Sequence, residues 1–390
     1  MEIKLIFVNL QYNIIYILVL LLTTFAHAFM KKVLVVGGGP CGIFAVGSLI
    51  ARGHQVVWSD AGKFKVGRLP IYSSVPANTR NDFLVSAFTD LPALNLSATS
   101  LPAHLLTQPL STTALVISVK ALKHATTSLL KRKGVESIPS QVTRLEFINN
   151  KEWQVTFQEN NQVIVDASIL CLGGEPRTAS STTIQTLQKA GIAVIDHDQI
   201  VCPEYLYQPK PRLHLKGKKV AIVGPSHSGL LAARNAIKYG KCKSVDLIGL
   251  EPELRFAEFR EEGTENMWIK YDGTGLKGKV REWTLQELAK SVSSSSLQYH
   301  HIDSAVESKT VEKILSLDVD VVAWTTGFSA DTACAGIQVI GSNGKEIDLL
   351  KAHDGKTGTF LEAPQLFGGG IAFPEEWVDP EGFVEGKLNW

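Results

Sequence analysis

The chain has 390 residues, 45% hydrophobic and 20% charged, with a formal net charge of +1. That length exceeds what one hydrophobic core organises, so about two domains of roughly 100–200 residues are expected. The near-zero net charge leaves no field for gathering polyanions, which sets nucleic acid aside as a partner.

Residues 1–29 open the chain with an apolar run, IIYILVLLL, at 14–22. Three readings compete. Ala26-His27-Ala28 imitates a signal-peptidase site, which favours export. Lys31 and Lys32 after the run would keep the globular part of an anchored protein on the cytoplasmic side. Alternatively, the true start is Met30, since MKKVLVVGGG is a natural opening for a first strand. Membrane contact is expected only if residues 14–22 are a real anchor.

Lys32–Val36 is a β-branched run ending at a glycine turn. A helix is predicted over Phe44–Arg52, stopped by Gly53, and a second strand over Gln55–Ser59, completing a βαβ unit. Leu69–Pro109, rich in Pro, Ser, Thr and Asn, reads as an extended loop region with short helices. A helix from about Val116 to Lys133 follows. Strands at Val142–Phe147, Glu152–Phe157 and Gln162–Val165 are joined by hairpin turns at Asn149-Asn150 and Asn160-Asn161. Ser168–Leu172 is a buried strand ending in Gly173-Gly174. A second βαβ unit begins at Lys218, with strand Val220–Val223, helix Leu230–Tyr239 and strand Ser244–Leu250; Asp320–Thr325 closes it. One more strand ends at Leu366-Phe367, before Gly368-Gly369-Gly370. SSSS at 293–296 reads as a surface loop.

Two of these turns carry chemistry. In GGGPCG (Gly37, Gly38, Gly39, Pro40, Cys41, Gly42), the first, middle and last glycines fill the pattern GxGxxG. They serve a tight turn, close approach of backbone to a pyrophosphate, and close packing of helix on strand. The helix N-terminus adds partial positive charge. Asp60, at the end of the second strand, is placed to accept the ribose hydroxyls of an adenosine. In GPSHSG, Gly224 and Gly229 keep the outer positions and Ser226 replaces the middle glycine; Ser226 and Ser228 add hydroxyls for phosphate. His227 reads as a solvent-exposed loop residue. Arg255 and Arg260 follow the next strand, where a guanidinium would grip a 2′-phosphate bidentately, and Glu251 would repel it. On that balance NADPH is favoured over NADH.

The five cysteines, Cys41, Cys171, Cys202, Cys242 and Cys334, are scattered, without a CxxC pair or metal-ligand spacing. They fit a reduced compartment as small buried hydrophobes. No metal site is expected, and disulfide-reductase chemistry, which needs a redox cysteine pair, is disfavoured.

GGGPCG with Asp60, GPSHSG, DVVAWTTGF at Asp320–Phe328, the closing LFGGGIAFP, and YSSVPANTRNDFLVSAFTDLP at Tyr72–Pro92 together resemble the two-dinucleotide-domain flavoproteins. Within them the chain is most similar to flavin-containing and N-hydroxylating monooxygenases. The resemblance covers Met30 to about Trp377. It implies an α/β fold of two Rossmann-like three-layer dinucleotide-binding domains, the second inserted into the first. FAD-binding parts would occupy 30–175 and 329–390, and an NAD(P)-binding domain 176–328. It further implies FAD on Gly37, Gly39, Gly42 and Asp60, adenine against the Val142 backbone, and Gly369, Gly370 and Ile371 facing the flavin. Asn78 would be catalytic beside the ring, or else would serve a loop turn. The expected activity is oxygenation of a small nitrogen or sulfur nucleophile with O2 and NADPH or NADH, in the cytoplasm, where reduced nicotinamide is held. The FxGxxxHxxxW-type fingerprint of flavin monooxygenases is missing: neither His197 nor His214 has that setting. Electron transfer to a quinone or partner protein, and a non-catalytic redox sensor, therefore stay open.

Overall fold

The computed structural model describes residues 30–76, 116–207, 213–262, 266–271, 275–290 and 296–387. The apolar run at 14–22, Asn78 and most of the serine tract lie outside them. Among the described residues no helix is long and apolar enough to cross a membrane.

Two largely parallel sheets organise the chain. The larger has seven strands in the order His353–Asp354, Thr359–Phe360, Ala363–Gly368, Ala167–Leu170, Lys32–Val36, Gln55–Ser59 and Val135–Ile138. The last five of these run parallel. The smaller sheet is parallel throughout, in the order Leu297–His301, Ser244–Gly249, Lys219–Val223, Val321–Trp324 and Ala193–Ile195.

The Lys32–Val36 strand reads as an unbroken apolar run because both of its faces are covered. Leu34 and Val36 enter a core closed by a four-stranded sheet of Gln338–Ile340, Val142–Ile148, Glu152–Phe157 and Gln162–Val165. Trp153 and Phe157 are the bulkiest contributions from that sheet. Val33 and Val35 face the other way, onto helices Pro40–Ala51 and Val116–Leu129, where Ile43, Leu49 and Leu122 receive them. Each such side chain contributes about 1.5–3 kcal/mol by leaving water. The smaller sheet repeats the arrangement. Val220 and Ile222 pack on helix His227–Lys238, whereas Ala221 and Val223 meet helices Ser181–Lys189 and Glu307–Ser316 through Leu187 and Ile314. Both units are therefore three-layered, as the α/β reading expects.

The chain leaves the larger sheet at Glu175–Pro176 and returns at Phe328–Ser329, and these two segments pair antiparallel. Asn149 and Asn150 have φ of 52° and 56°, the primed hairpin geometry that their side chains tolerate. Three element boundaries differ from expectation by more than two residues. The first helix begins at Pro40, whose fixed φ suits the first helical position. The second begins at His227. The helix expected to reach Lys133 stops at Leu129, and the chain reverses through Gly134 into the unanticipated edge strand Val135–Ile138.

Candidate dinucleotide-binding sites and the seam between them

The first turn follows directly from its sequence. Gly37 sits at φ +114°, with its N–H on the Ser59 carbonyl at 2.7 Å and its carbonyl accepting from the Trp58 indole at 3.0 Å. A side chain there would overlap the Cys171 carbonyl, and one at Gly42 would overlap the Gly37 carbonyl. Gly42 thus permits the close helix-on-strand packing that the spacing requires. Gly39 caps the helix without any side-chain cap, and a Cβ added to it meets nothing within 4 Å. Open space over an uncapped helix N-terminus is what a pyrophosphate needs.

Asp60 is buried, and a Cβ on Gly38 would collide with its carboxylate. Its two oxygens accept N–H bonds from Gly62 at 3.3 Å and Phe64 at 2.5 Å. A carboxylate has about four acceptor sites, so the loop aims this one while leaving capacity for ribose hydroxyls. The same loop carries Lys63, Phe64 and Val66 at positive φ, a strained run that sequence patterns did not signal. Val142 starts its strand with the side chain buried in the core. Its neighbour Ser140 receives the Ser59 hydroxyl on its carbonyl at 2.6 Å, which ties this strand entrance to the Asp60 corner. Gly369 donates to the Leu170 carbonyl at 3.0 Å, and a Cβ on Gly369 or Gly370 would press on Cys41 at 3.0 Å. The closing glycines therefore meet the first helix turn. Ile371 lies beside Gly174, next to the Phe328–Ser329 crossing.

The second turn has the same build. Gly224 sits at φ +95°, where a Cβ would lie 2.7 Å from the Thr325 carbonyl, and a Cβ on Gly229 would overlap the Gly224 carbonyl. Ser226 caps helix His227–Lys238 with no side-chain bond and is exposed; Ser228 is half-buried. His227 corrects the expectation of a solvated loop residue. Both ring nitrogens are buried and have no hydrogen-bond partner. Burial, reinforced by the Lys277 charge, pushes its pKa down to about 4.

The Arg255 side chain is partly buried rather than fully solvated. It pairs with Glu251 at 2.5 Å and stacks over Phe383 and Tyr271, 4.9 and 5.4 Å from the ring centres. Arg260 falls in the strand Glu258–Glu262 rather than in a loop.

Sequence reasoning missed the seam. The segment leaving the first cradle, Arg68–Val75, docks on the second unit, with Tyr72 and Val75 inside the second unit's core. Arg68 and Tyr72 both bond Asp198, Ser74 bonds Glu204, and the Cys202 thiol donates to the Ile71 carbonyl at 3.3 Å. His197, which sequence context left without a role, is buried there. It contacts Asp198 at 3.1 Å and Phe328 edge-on, and its Nε2 is unpartnered. A second omission is a thiol pair. Cys41 and Cys171, far apart in sequence, have their sulfurs 3.2 Å apart.

Residues 31–349 match the pyridine nucleotide-disulphide oxidoreductase family. The chain belongs to that family. It is 27% identical over 378 residues to the monooxygenase AgnR1 of Paecilomyces divaricatus, covering 90% of this chain and 92% of the relative. Among solved structures it is similar to OTEMO in complex with FAD and NADP (TM-score 0.53, 12% identity, 87% of this chain and 80% of that one). It is also similar to cyclohexanone monooxygenase from Rhodococcus sp. Phi1 bound to NADP+ (0.51, 13%, 88% and 80%). The resemblance to two-dinucleotide-domain flavoproteins of the monooxygenase kind is thereby borne out.

Proposed function

We propose that this protein is an FAD-dependent monooxygenase reduced by NADPH or NADH, acting with O2 on a small molecule that offers a nucleophilic nitrogen or sulfur. The observation that carries the reading is the pair of glycine turns, each opening a 12-residue helix from its own largely parallel sheet. Similarity to AgnR1 and to FAD- and NADP-bound monooxygenases supports it.

FAD, when bound, accepts hydride from the nicotinamide and activates oxygen. The residues of this chain divide the remaining work. The turn Gly37–Gly42, with Pro40 and Cys41 opening its helix, would receive one pyrophosphate, and Asp60 the adenosine ribose. The Val142 backbone would line the adenine, and Gly369, Gly370 and Ile371 the flavin side. Gly224, Ser226, Ser228 and Gly229 would hold the nicotinamide dinucleotide, with Arg255 on its 2′-phosphate. Asn78 would serve the oxygenation step. Residues 176–328 would form the nicotinamide domain inserted into the FAD domain, placed in the cytoplasm with its supply of reduced nicotinamide.

Purified protein should be yellow, and NADPH should bleach it. NADPH oxidation, with peroxide followed in parallel, should accelerate with an amine or thioether and leave less peroxide per NADPH. Absence of flavin absorbance after reconstitution overturns the reading. Flavin reduction with peroxide release unchanged by amines, thioethers or ketones overturns its monooxygenase part.

A further inference from the structure

Cys41 stands in the first turn of helix Pro40–Ala51, at the mouth of the first cradle; Cys171 directly follows the strand Ala167–Leu170, its N–H on the Val36 carbonyl at 2.8 Å. Their sulfurs are 3.2 Å apart and both thiols are free. A disulfide needs about 2.05 Å, so bond formation asks for roughly an ångström of approach between groups already in contact. Cys41 is half-buried and Cys171 buried, which makes Cys41 the group an oxidant reaches first.

We infer that Cys41 and Cys171 form a peroxide-reactive dithiol that closes to a disulfide and disables the first dinucleotide cradle. The hydrogen bond to Cys41, together with burial, holds the Cys171 thiol well above its ordinary range. Because Cys171 is buried and Cys41 is not, Cys41 meets the oxidant and Cys171 resolves.

The sulfur of Cys41 attacks one peroxide oxygen and the O–O bond breaks, giving Cys41–SOH and water from H2O2. The Cys171 sulfur then displaces hydroxide from Cys41–SOH, and its proton leaves with the hydroxide as a second water. Both sulfurs are oxidised by one electron each, and H2O2 is reduced to two waters. Peroxide is also what an oxygen-using, nicotinamide-driven enzyme yields when it turns over without substrate, O2 accepting the hydride and a proton. Drawing Cys41 toward Cys171 moves the first helix turn, on which Gly369 and Gly370 pack, and the N–H groups that face the pyrophosphate move with it.

The inference rests on the first turn being the FAD cradle, and its test separates the two. FAD-stripped full-length protein is treated with H2O2, alkylated, and digested without reductant for mass spectrometry. A linked Cys41–Cys171 peptide, removed by dithiothreitol, is expected. FAD titration of the oxidised protein should show affinity reduced by about tenfold or more and restored by dithiothreitol. Cys171→Ser should keep its affinity for FAD through the peroxide treatment, and FAD bound beforehand should slow linkage. Oxidation of Cys41 to sulfinic acid with no linked peptide overturns the inference. So does linkage that leaves FAD affinity unchanged, or an equal loss of affinity in Cys171→Ser. If untreated protein binds no FAD, the cofactor assignment fails, and the peptide map alone decides whether the dithiol closes. Should Cys171→Ser not fold, the reductant reversal in the unsubstituted protein serves in its place.

Discussion

Asp198 holds Arg68 and Tyr72 on separate carboxylate oxygens, the guanidinium at 2.7 Å and the phenol hydroxyl at 2.6 Å. Arg68 and Tyr72 belong to the segment that leaves the first cradle, and Asp198 to the second unit, so one carboxylate fastens the seam. Burial alone would raise its pKa. Hydrogen bonds from His197 and Tyr72 and the Arg68 charge outweigh burial and hold it below the ordinary carboxylate range.

A carboxyl depressed in the folded state stabilises above its unfolded pKa, near 3.9, and that contribution disappears as pH falls through the folded value. Asp198→Asn should therefore lower the melting temperature at pH 7, and the deficit should begin to shrink only below about pH 4, vanishing once pH has fallen through the folded value. Since the Arg68 side chain is 35% exposed, solvent screening reduces the expected loss to about 1–2 kcal/mol. Calorimetry at both pH values checks it. An equal deficit at both would show that the charge is not what fastens the seam.

Gly39→Val separates cofactor binding from folding. Gly39 has φ −77°, which any residue adopts, and its added Cβ meets no protein atom within 4 Å. The variant should fold with an unchanged melting temperature as apoprotein, yet bind FAD at least 10- to 150-fold more weakly, equivalent to about 1.5–3 kcal/mol. Gly42→Ala supplies the contrast, because its Cβ would overlap the Gly37 carbonyl. It should destabilise the apoprotein itself by about 1–3 kcal/mol. Comparing flavin absorbance with apoprotein melting decides both.

What could be read in the sequence was local. The glycine turns, Asp60 and the flanking strands were legible because strand period, glycine spacing and turn residues are encoded over a few positions. Asn149-Asn150 announced their hairpin by the same logic. The seam was not legible, because Arg68 and Asp198 are distant in sequence and an ion pair leaves no periodic trace. The Cys41–Cys171 contact escaped for the same reason. Its two thiols lie on separate elements that only the parallel pairing of Lys32–Val36 with Ala167–Leu170 brings together. His227 was misread because a glycine-rich turn suggests exposure, whereas the helix begins at that residue and folds its ring inward.

Nucleotide preference turns on Glu251 and Arg255. The Glu251 carboxylate competes with a 2′-phosphate for the Arg255 guanidinium, whose plane is fixed by stacking on Phe383 and Tyr271. Arg255→Ala should raise the KM for NADPH by roughly 10- to 150-fold, the equivalent of about 1.5–3 kcal/mol for one charge-assisted contact, while the KM for NADH changes little. Glu251→Gln should act oppositely, lowering the KM for NADPH relative to NADH. Parallel steady-state kinetics with both nucleotides are the check. A matching change for both would move 2′-phosphate recognition away from Arg255.

His227 gives the fold a pH dependence of its own. Its ring is neutral in the folded chain down to about pH 4, held there by burial and the Lys277 charge. In the unfolded chain it takes up a proton near pH 6.5. The unfolded state therefore binds more protons between these values, so this stability is fully present above about pH 6.5 and is lost as pH falls toward 4. The span corresponds to about 3 kcal/mol at most. His227→Gln keeps a polar group of similar reach that cannot take a proton, so it should flatten the slope of stability against pH across this window. Its stability at pH 7.5 should fall slightly, because an amide buried beside the same unpartnered space loses its water. Urea titrations at intervals from pH 7.5 to 4.5 measure the slope. A variant with the same slope as the unsubstituted protein would assign the acid sensitivity to other groups.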